Sequence, residues 1–100
     1  MVEINVVWMP SAKIELGSTM AYYKQRNGSP SYNQRIRGAI NRVIKRIKDQ
    51  PLSYQLGEDG QTRIAPVLKF QLLYRIYPGR IEIWSFWDPK QDPDKRFDRR

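Results

Sequence analysis

The chain has 100 residues, 18 Lys and Arg against 10 Asp and Glu, and a net charge of +8. That length suits one domain (1–100) with a single modest core, and 40% hydrophobic residues belong to a folded protein. With no Cys, a disulfide framework, a zinc–thiolate site and a catalytic thiol are excluded, and with no His any proton transfer falls to Lys, Arg, Tyr, Asp or Glu.

The lack of cysteine fits a cytoplasmic setting. The longest apolar run is far too short to span a membrane, and the first residues lack the basic-then-apolar order of a signal peptide, so no membrane partner is expected. The positive excess attracts polyanions, either nucleic acid or an acidic protein; solubility alone is the plain alternative.

Residues 3–8 alternate and are β-branched, which predicts a first strand with Ile4, Val6 and Trp8 on one face. Met-Pro-Ser-Ala then starts a helix over about 12–26, with Ser11 as N-cap and Glu15 complementing the helix N-terminus. Ala12, Leu16, Met20 and Tyr23 form its buried stripe. Asn27-Gly28-Ser29-Pro30 breaks the chain, and Ser31 caps a second helix to about Asp49, stopped by Pro51. Ile36, Ile40, Val43, Ile44 and Ile47 follow helical spacing, while Arg35, Arg37, Arg42, Lys45, Arg46 and Lys48 mostly line the other side. Such a basic row serves either as a solvated face or as a nucleic-acid surface, and only the latter makes binding strongly salt dependent. So short a link predicts an antiparallel helix pair.

Residues 52–61 read as a loop, and Thr62 to Ala65 as a short strand that Pro66 confines to a sheet edge or end. Two alternating runs, 68–77 and 80–87, flank Pro78-Gly79, the central pair of a type II turn. With that turn, Ile76 faces Ile81, Arg75 faces Glu82, Tyr74 faces Ile83, Leu73 faces Trp84 and Phe70 faces Trp87. One face then holds Lys69, Gln71, Leu73, Arg75, Glu82, Trp84 and Phe86. The other holds Phe70, Leu72, Tyr74, Ile76, Ile81, Ile83 and Trp87, which is assigned to the core. Residues 88–100 are rich in Asp, Pro, Lys and Arg and predict an irregular or frayed basic tail. The expected fold is α+β, in the order β-α-α-β-β-β, with two antiparallel helices on one face of a mainly antiparallel twisted sheet.

Four pieces in this order resemble the RelE/ParE superfamily of toxins from bacterial type II toxin–antitoxin modules. They are Val-Trp-Met-Pro-Ser-Ala (7–12), Ile-Asn-Arg-Val-Ile-Lys-Arg-Ile-Lys-Asp-Gln-Pro (40–51), Phe-Gln-Leu-Leu-Tyr-Arg-Ile (70–76) and Ile-Glu-Ile-Trp-Ser-Phe-Trp-Asp-Pro-Lys-Gln-Asp-Pro (81–93). The resemblance covers almost the whole chain. It implies a toxin held in a hetero-oligomer by a cognate antitoxin and arresting growth by metal-independent mRNA cleavage on the ribosome, with inhibition of DNA gyrase as the alternative. RelE-like members cut mRNA without a metal or cofactor, whereas ParE-like members inhibit gyrase and cut nothing.

Cleavage needs help in deprotonating the ribose 2′-OH, cations on the phosphorane and an acid for the leaving 5′-oxygen. The resemblance places Lys90 and Arg63 near the family's catalytic basic positions, with Lys69 or Arg75 assisting. Gln71 stands where the RelE-like pattern has Arg, and Phe97 falls near its C-terminal Tyr and cannot exchange a proton. Arg80, Lys95, Arg96, Trp84 and Phe86 are candidate target-binding residues. Trp84 and Phe86 on the outer face suit an antitoxin groove, stacking on RNA bases, or cover by the tail. Arg75 either joins a phosphate-binding cluster or pairs with Glu82. Tyr74 belongs to the core, and Trp8 to the core or the helix entry. A basic RNA-binding protein outside toxin modules and a degenerate toxin are the remaining readings.

Overall fold

The computed structural model describes residues 3–99. Strand β1 (Asn5–Trp8) leads into helices α1 (Pro10–Asn27) and α2 (Ser31–Asp49). Strands β2 (Gln55–Leu56), β3 (Thr62–Val67), β4 (Phe70–Tyr77) and β5 (Arg80–Trp87) follow, then two short 3-10 turns at Pro93–Lys95 and Phe97–Arg99. The sheet order is β1-β5-β4-β3-β2, antiparallel except that β1 lies parallel to β5. The α+β architecture therefore matches expectation, with one added two-residue strand, β2, in what the sequence marks as loop. It pairs only with Ile64 and Arg63, so Pro66 runs along an uncovered part of β3, where its missing N–H leaves no ladder bond unmade.

The helices form for the reasons their spacing gives. Ala12, Ile36, Ala39, Ile40 and Ile47 are buried against Ala65, Val67, Phe70, Leu72, Tyr74, Ile81, Ile83 and Phe86. Leu16, Met20, Tyr23, Val43 and Ile44 pack beside them, as do Ile4, Val6 and Trp8 of the first strand. Both helix starts differ from expectation. Helix α1 begins at Pro10 behind Met9, and Ser11 Oγ donates to the Trp84 carbonyl at 2.8 Å instead of capping. Ser31 is the first residue of α2 behind Pro30, and Ser29 Oγ accepts its N–H at 3.3 Å. Gly28 ends α1 at φ 62°, a conformation that costs glycine little.

The hairpin holds the expected register for Ile76–Ile81, Arg75–Glu82 and Tyr74–Ile83 around Gly79 at φ 70°. It then departs. Leu73 pairs with Ser85, Leu72 with Phe86 and Gln71 with Trp87, because the ladder shifts between Leu73 and Tyr74 and leaves Trp84 unmatched. This is a β-bulge, and one extra residue inverts every side chain beyond it. Phe86, expected on the outer face, lies 1% exposed in the helix-side core with its ring 5.1 Å from Phe70. Trp87, expected in that core, joins Ile64, Leu73 and Phe97 on the opposite face. Ile76, also assigned to the core, sits exposed at the hairpin end.

The tail is not frayed. Asp88 Oδ1 accepts the Lys90 N–H and Asp92 Oδ1 accepts the Asp94 N–H, both at 3.0 Å. These Asx turns direct the chain back over the sheet, where Phe97 packs and Asp98 is buried. Arg100 of the expected basic tail lies outside the described residues.

The bulge has a direct test. Phe86→Ala should cost about 3–5 kcal/mol in chemical denaturation, the value for a core Phe. A near-neutral result would return Phe86 to the surface.

Candidate functional site

The face of the sheet opposite the helices is the place where the tail, two strands and the loop before β3 meet. It is organised around two guanidinium groups. Arg96 donates to both oxygens of Asp98, from Nε at 2.5 Å and Nη2 at 2.8 Å, and reaches Gln71 Oε1 from Nη1 at 3.4 Å. Asp98 is 3% exposed and also accepts the Glu58 N–H at 3.0 Å. Burial pushes the Asp98 carboxyl up, but the Arg96 and Glu58 hydrogen bonds and the Arg96 charge outweigh it and hold it below the ordinary carboxylate value. The same pair raises Arg96, against the smaller opposing effect of its burial. Gly57 makes room for this contact: a Cβ there would lie 2.6 Å from Asp98 Oδ2 and 2.9 Å from the Thr62 carbonyl.

The second guanidinium is Arg75. Its Nε donates to Thr62 Oγ1 at 3.1 Å and its Nη2 to Asp59 Oδ2 at 3.3 Å. Asp59 in turn accepts the Gln61 and Thr62 amides and the Thr62 hydroxyl. Desolvation opposes ionisation of Asp59, yet these hydrogen bonds lower its pKa. The Arg75 guanidinium lies 4.8 Å from the Phe97 ring centre and 5.6 Å from that of Trp84. Trp84 and Phe97 themselves stack at 5.2 Å with planes 16° apart. Glu82, across the strand from Arg75, is taken by Arg80 at 3.0 Å and by the Trp84 indole N–H at 3.1 Å. Arg75 thus joins neither the expected Glu82 pair nor an open phosphate cluster.

The four cations named from the sequence as catalytic come to separate places. Arg63 shares the helix side with Tyr74 and donates to the Leu52 and Tyr54 carbonyls at 3.3 and 2.9 Å. Arg75 is on the opposite face. Lys69 precedes β4, six residues from Arg75, about 20 Å along an extended chain. Its ammonium lies 4.9 Å from the Tyr23 ring centre and 5.8 Å from those of Tyr32 and Phe70. A hydrogen bond with the Tyr23 side chain raises the Lys69 pKa. Lys90 lines a small cavity with Ser18, Thr19, Tyr22, Tyr23 and Asp88, so Tyr23 joins Lys69 and Lys90 at one end of the sheet. Tyr74 is fully buried, donates to the Pro51 carbonyl at 2.6 Å, and is pushed up to about 12 by burial, with Arg63 pulling only weakly the other way.

Of the expected target-binding residues, Trp84 lies on the outer face beneath Phe97, and Phe86 is in the core. Arg96 is engaged by Asp98, Arg80 stays half-exposed over Tyr77, and Lys95 is on an exposed turn. Sequence reasoning missed Asp59 and Asp98. The Asp59-Gly60 turn marks the first, because an Asp before Gly is apt to bind the amides that follow. For Asp98 the signal was absent. Among the described residues no cluster of His, Cys, Asp and Glu is placed to hold a metal ion. None of the described helices is long and apolar enough to cross a membrane.

No protein-family model matches the sequence, and no curated protein matches it either. Solved structures do match the fold. The chromosomal ParDE TA system from P. aeruginosa aligns at a TM-score of 0.70 and 16% identity, over 88% of this chain and 98% of that one. The YoeB dimer from Staphylococcus aureus aligns at 0.61 and 16% identity, over 85% and 95%. A heterotetrameric YoeB-YefM toxin-antitoxin complex from the same organism aligns at 0.57, with the same identity and coverage. The chain therefore has the RelE/ParE-like fold.

Three measurements probe the tail contact. Asp98→Asn leaves Arg96 buried opposite a neutral partner and should cost about 3–5 kcal/mol. Because the folded pKa of Asp98 is depressed, its contribution is complete above the ordinary carboxylate range and is lost as pH falls through the folded value. The wild-type denaturation midpoint should therefore fall below about pH 4, and Asp98→Asn should flatten that fall. Gly57→Ala should lower stability by about 1–3 kcal/mol through overpacking. If Gly57→Ala leaves the midpoint unmoved, the close approach is wrong.

Proposed function

We propose that the chain is the toxin of a type II toxin–antitoxin module and that it arrests growth by binding a protein target, DNA gyrase, without cleaving RNA. The observation that carries this reading is the covered outer face. Metal-independent cleavage needs a base, cations and an acid within hydrogen-bond reach of one phosphate. Here Arg75 and Arg96 are paired to Asp59 and Asp98, Phe97 occupies the space above Trp84, and Arg63 is on the other side of the sheet. A binding protein has no need of such convergence. The ParDE likeness over most of both chains supports the same branch.

The antitoxin is expected at the slot between α1 and the tail, lined by Ser11, Ile14, Glu15, Trp84, Ser85 and Phe97. Ile14 is 69% exposed there, an apolar anchor point on a strongly basic protein. An acidic, amphipathic segment complements both properties.

One observation favours ribonuclease action as a second reading. Lys69, Lys90, Asp88 and Tyr23 gather at the sheet end, which places cations beside a phenolic hydroxyl. The two readings separate on induction from a controlled promoter. Gyrase capture predicts intact messages, a DNA-damage response and inhibition of supercoiling by the purified chain, with Lys90→Ala still toxic. New in-frame mRNA 5′ ends that vanish in Lys90→Ala or Lys69→Ala would establish cleavage instead.

A further inference from the structure

Helix α2 carries a surface that takes no part in the outer sheet face. Arg35, Arg37, Arg42, Lys45, Arg46 and Lys48 are all exposed, and none is in a salt bridge among the described residues. The one carboxylate on the helix is Asp49, its last residue. Like charges stand one turn apart at Arg42–Arg46 and Lys45–Lys48, an arrangement that destabilises a helix. The helix dipole offsets this for Arg46 and Lys48 in the last turn, but not for Arg35, Arg37 and Arg42.

The cations are also ordered. At about 100° per residue, Arg35, Arg42 and Arg46 fall along one border of the exposed face, and Arg37 and Lys48 along the other. Gln34, Gly38, Asn41 and Lys45 occupy the strip between them, with Asp49 at its C-terminal end. Gly38 carries no side chain, and Arg42 Nη1 lies 3.4 Å from where a Cβ would be, so the Arg42 guanidinium leans over the strip from its border. Two cationic borders flanking a strip with amide side chains suit a ligand with two parallel rows of negative charge.

We propose that this face binds double-stranded DNA, with α2 in the major groove, its borders on the two phosphate backbones and Gln34 and Asn41 against base edges. A helix of about 10–12 Å diameter fits a groove about 12 Å wide. Asn and Gln are the side chains whose paired donor and acceptor match adenine there. An A-form RNA duplex has a major groove too narrow for a helix. An acidic peptide neutralises one border and leaves the other uncompensated. The inference does not rest on the toxin reading.

The test is fluorescence anisotropy of the full chain with a labelled duplex of about 20 base pairs between 50 and 200 mM salt. The expected plot of log K against log salt has a slope of about −4.5, near −0.9 per phosphate contact for the five border cations. Arg42→Ala with Arg46→Ala should reduce that slope by about two and weaken binding at least about tenfold. Lys13→Ala, a single charge lost from α1, should leave both unchanged. Asn41→Ala should keep the slope and narrow the preference between A·T-rich and G·C-rich duplexes. Circular dichroism should show each exposed-site variant folded. The proposal is overturned by no binding at 50 mM salt, by a slope unmoved in the double variant, or by equal or tighter binding of an RNA duplex. Displacement by polyglutamate as readily as by unlabelled DNA overturns it in favour of an acidic protein.

Discussion

Trp84 has no partner across the β4–β5 ladder, and the rest of the outer face follows from that. A strand alternates its side chains with a period of two, so one extra residue moves everything beyond it to the other side. Phe86 turns inward to complete the helix-side core, and Trp87 turns outward to found a second, smaller cluster with Ile64 and Leu73. A sheet with a large apolar patch on its free face needs cover. The tail supplies it through Phe97, which stacks on the same Trp84 that caused the inversion.

Covering an apolar patch with a charged segment raises the problem of where its polar groups go. Arg96 and Asp98 solve it mutually, with the Glu58 amide and the Gln71 side chain taking the remaining valences. The pair therefore links the tail both to the loop between β2 and β3 and to strand β4. Arg75 plays the matching part further along β4, held by Asp59 and Thr62 beneath the two stacked rings. Arg75 and Arg96, which sequence alone offers for catalysis and target binding, instead hold this cover in place, while Arg63 lies on the helix side. Lys69 and Lys90 sit at the far end.

Much of the fold was legible because its signals are local. The 3.6-residue spacing of Ile36, Ile40, Val43, Ile44 and Ile47 names the buried side of α2, and Pro78-Gly79 fixes the hairpin register as far as Tyr74. The bulge was illegible because Ile-Glu-Ile-Trp-Ser-Phe-Trp alternates acceptably on either side of Trp84. The tail was misread for a different reason: Asp-Pro signals a break, and here each Asp also binds the amide two residues on, so the breaks are ordered turns. Placement of the candidate site inherits both errors. Arg63 and Arg75 lie on opposite sides of the sheet, the partner of Arg75 is on the loop before β3, and the Asp98 that binds Arg96 is anchored by Glu58 far away in sequence, where no periodicity points.

The parallel pairing of β1 with β5 reaches across nearly the whole chain, Asn5 to Arg80 and Trp8 to Ile83. During synthesis the first strand therefore waits, apolar side exposed, until β5 has been made. The helices form early from local contacts, but the sheet cannot close without β5, and its outer face cannot close without Asp98. A ribosome that stops just after Trp87 releases a polypeptide whose outer sheet face is open, and one that stops before Arg80 leaves the helix-side face open as well. The outer face thus closes only once Phe97 and Asp98 have been made, and products truncated before them are marked for aggregation or proteolysis by the surfaces they fail to cover.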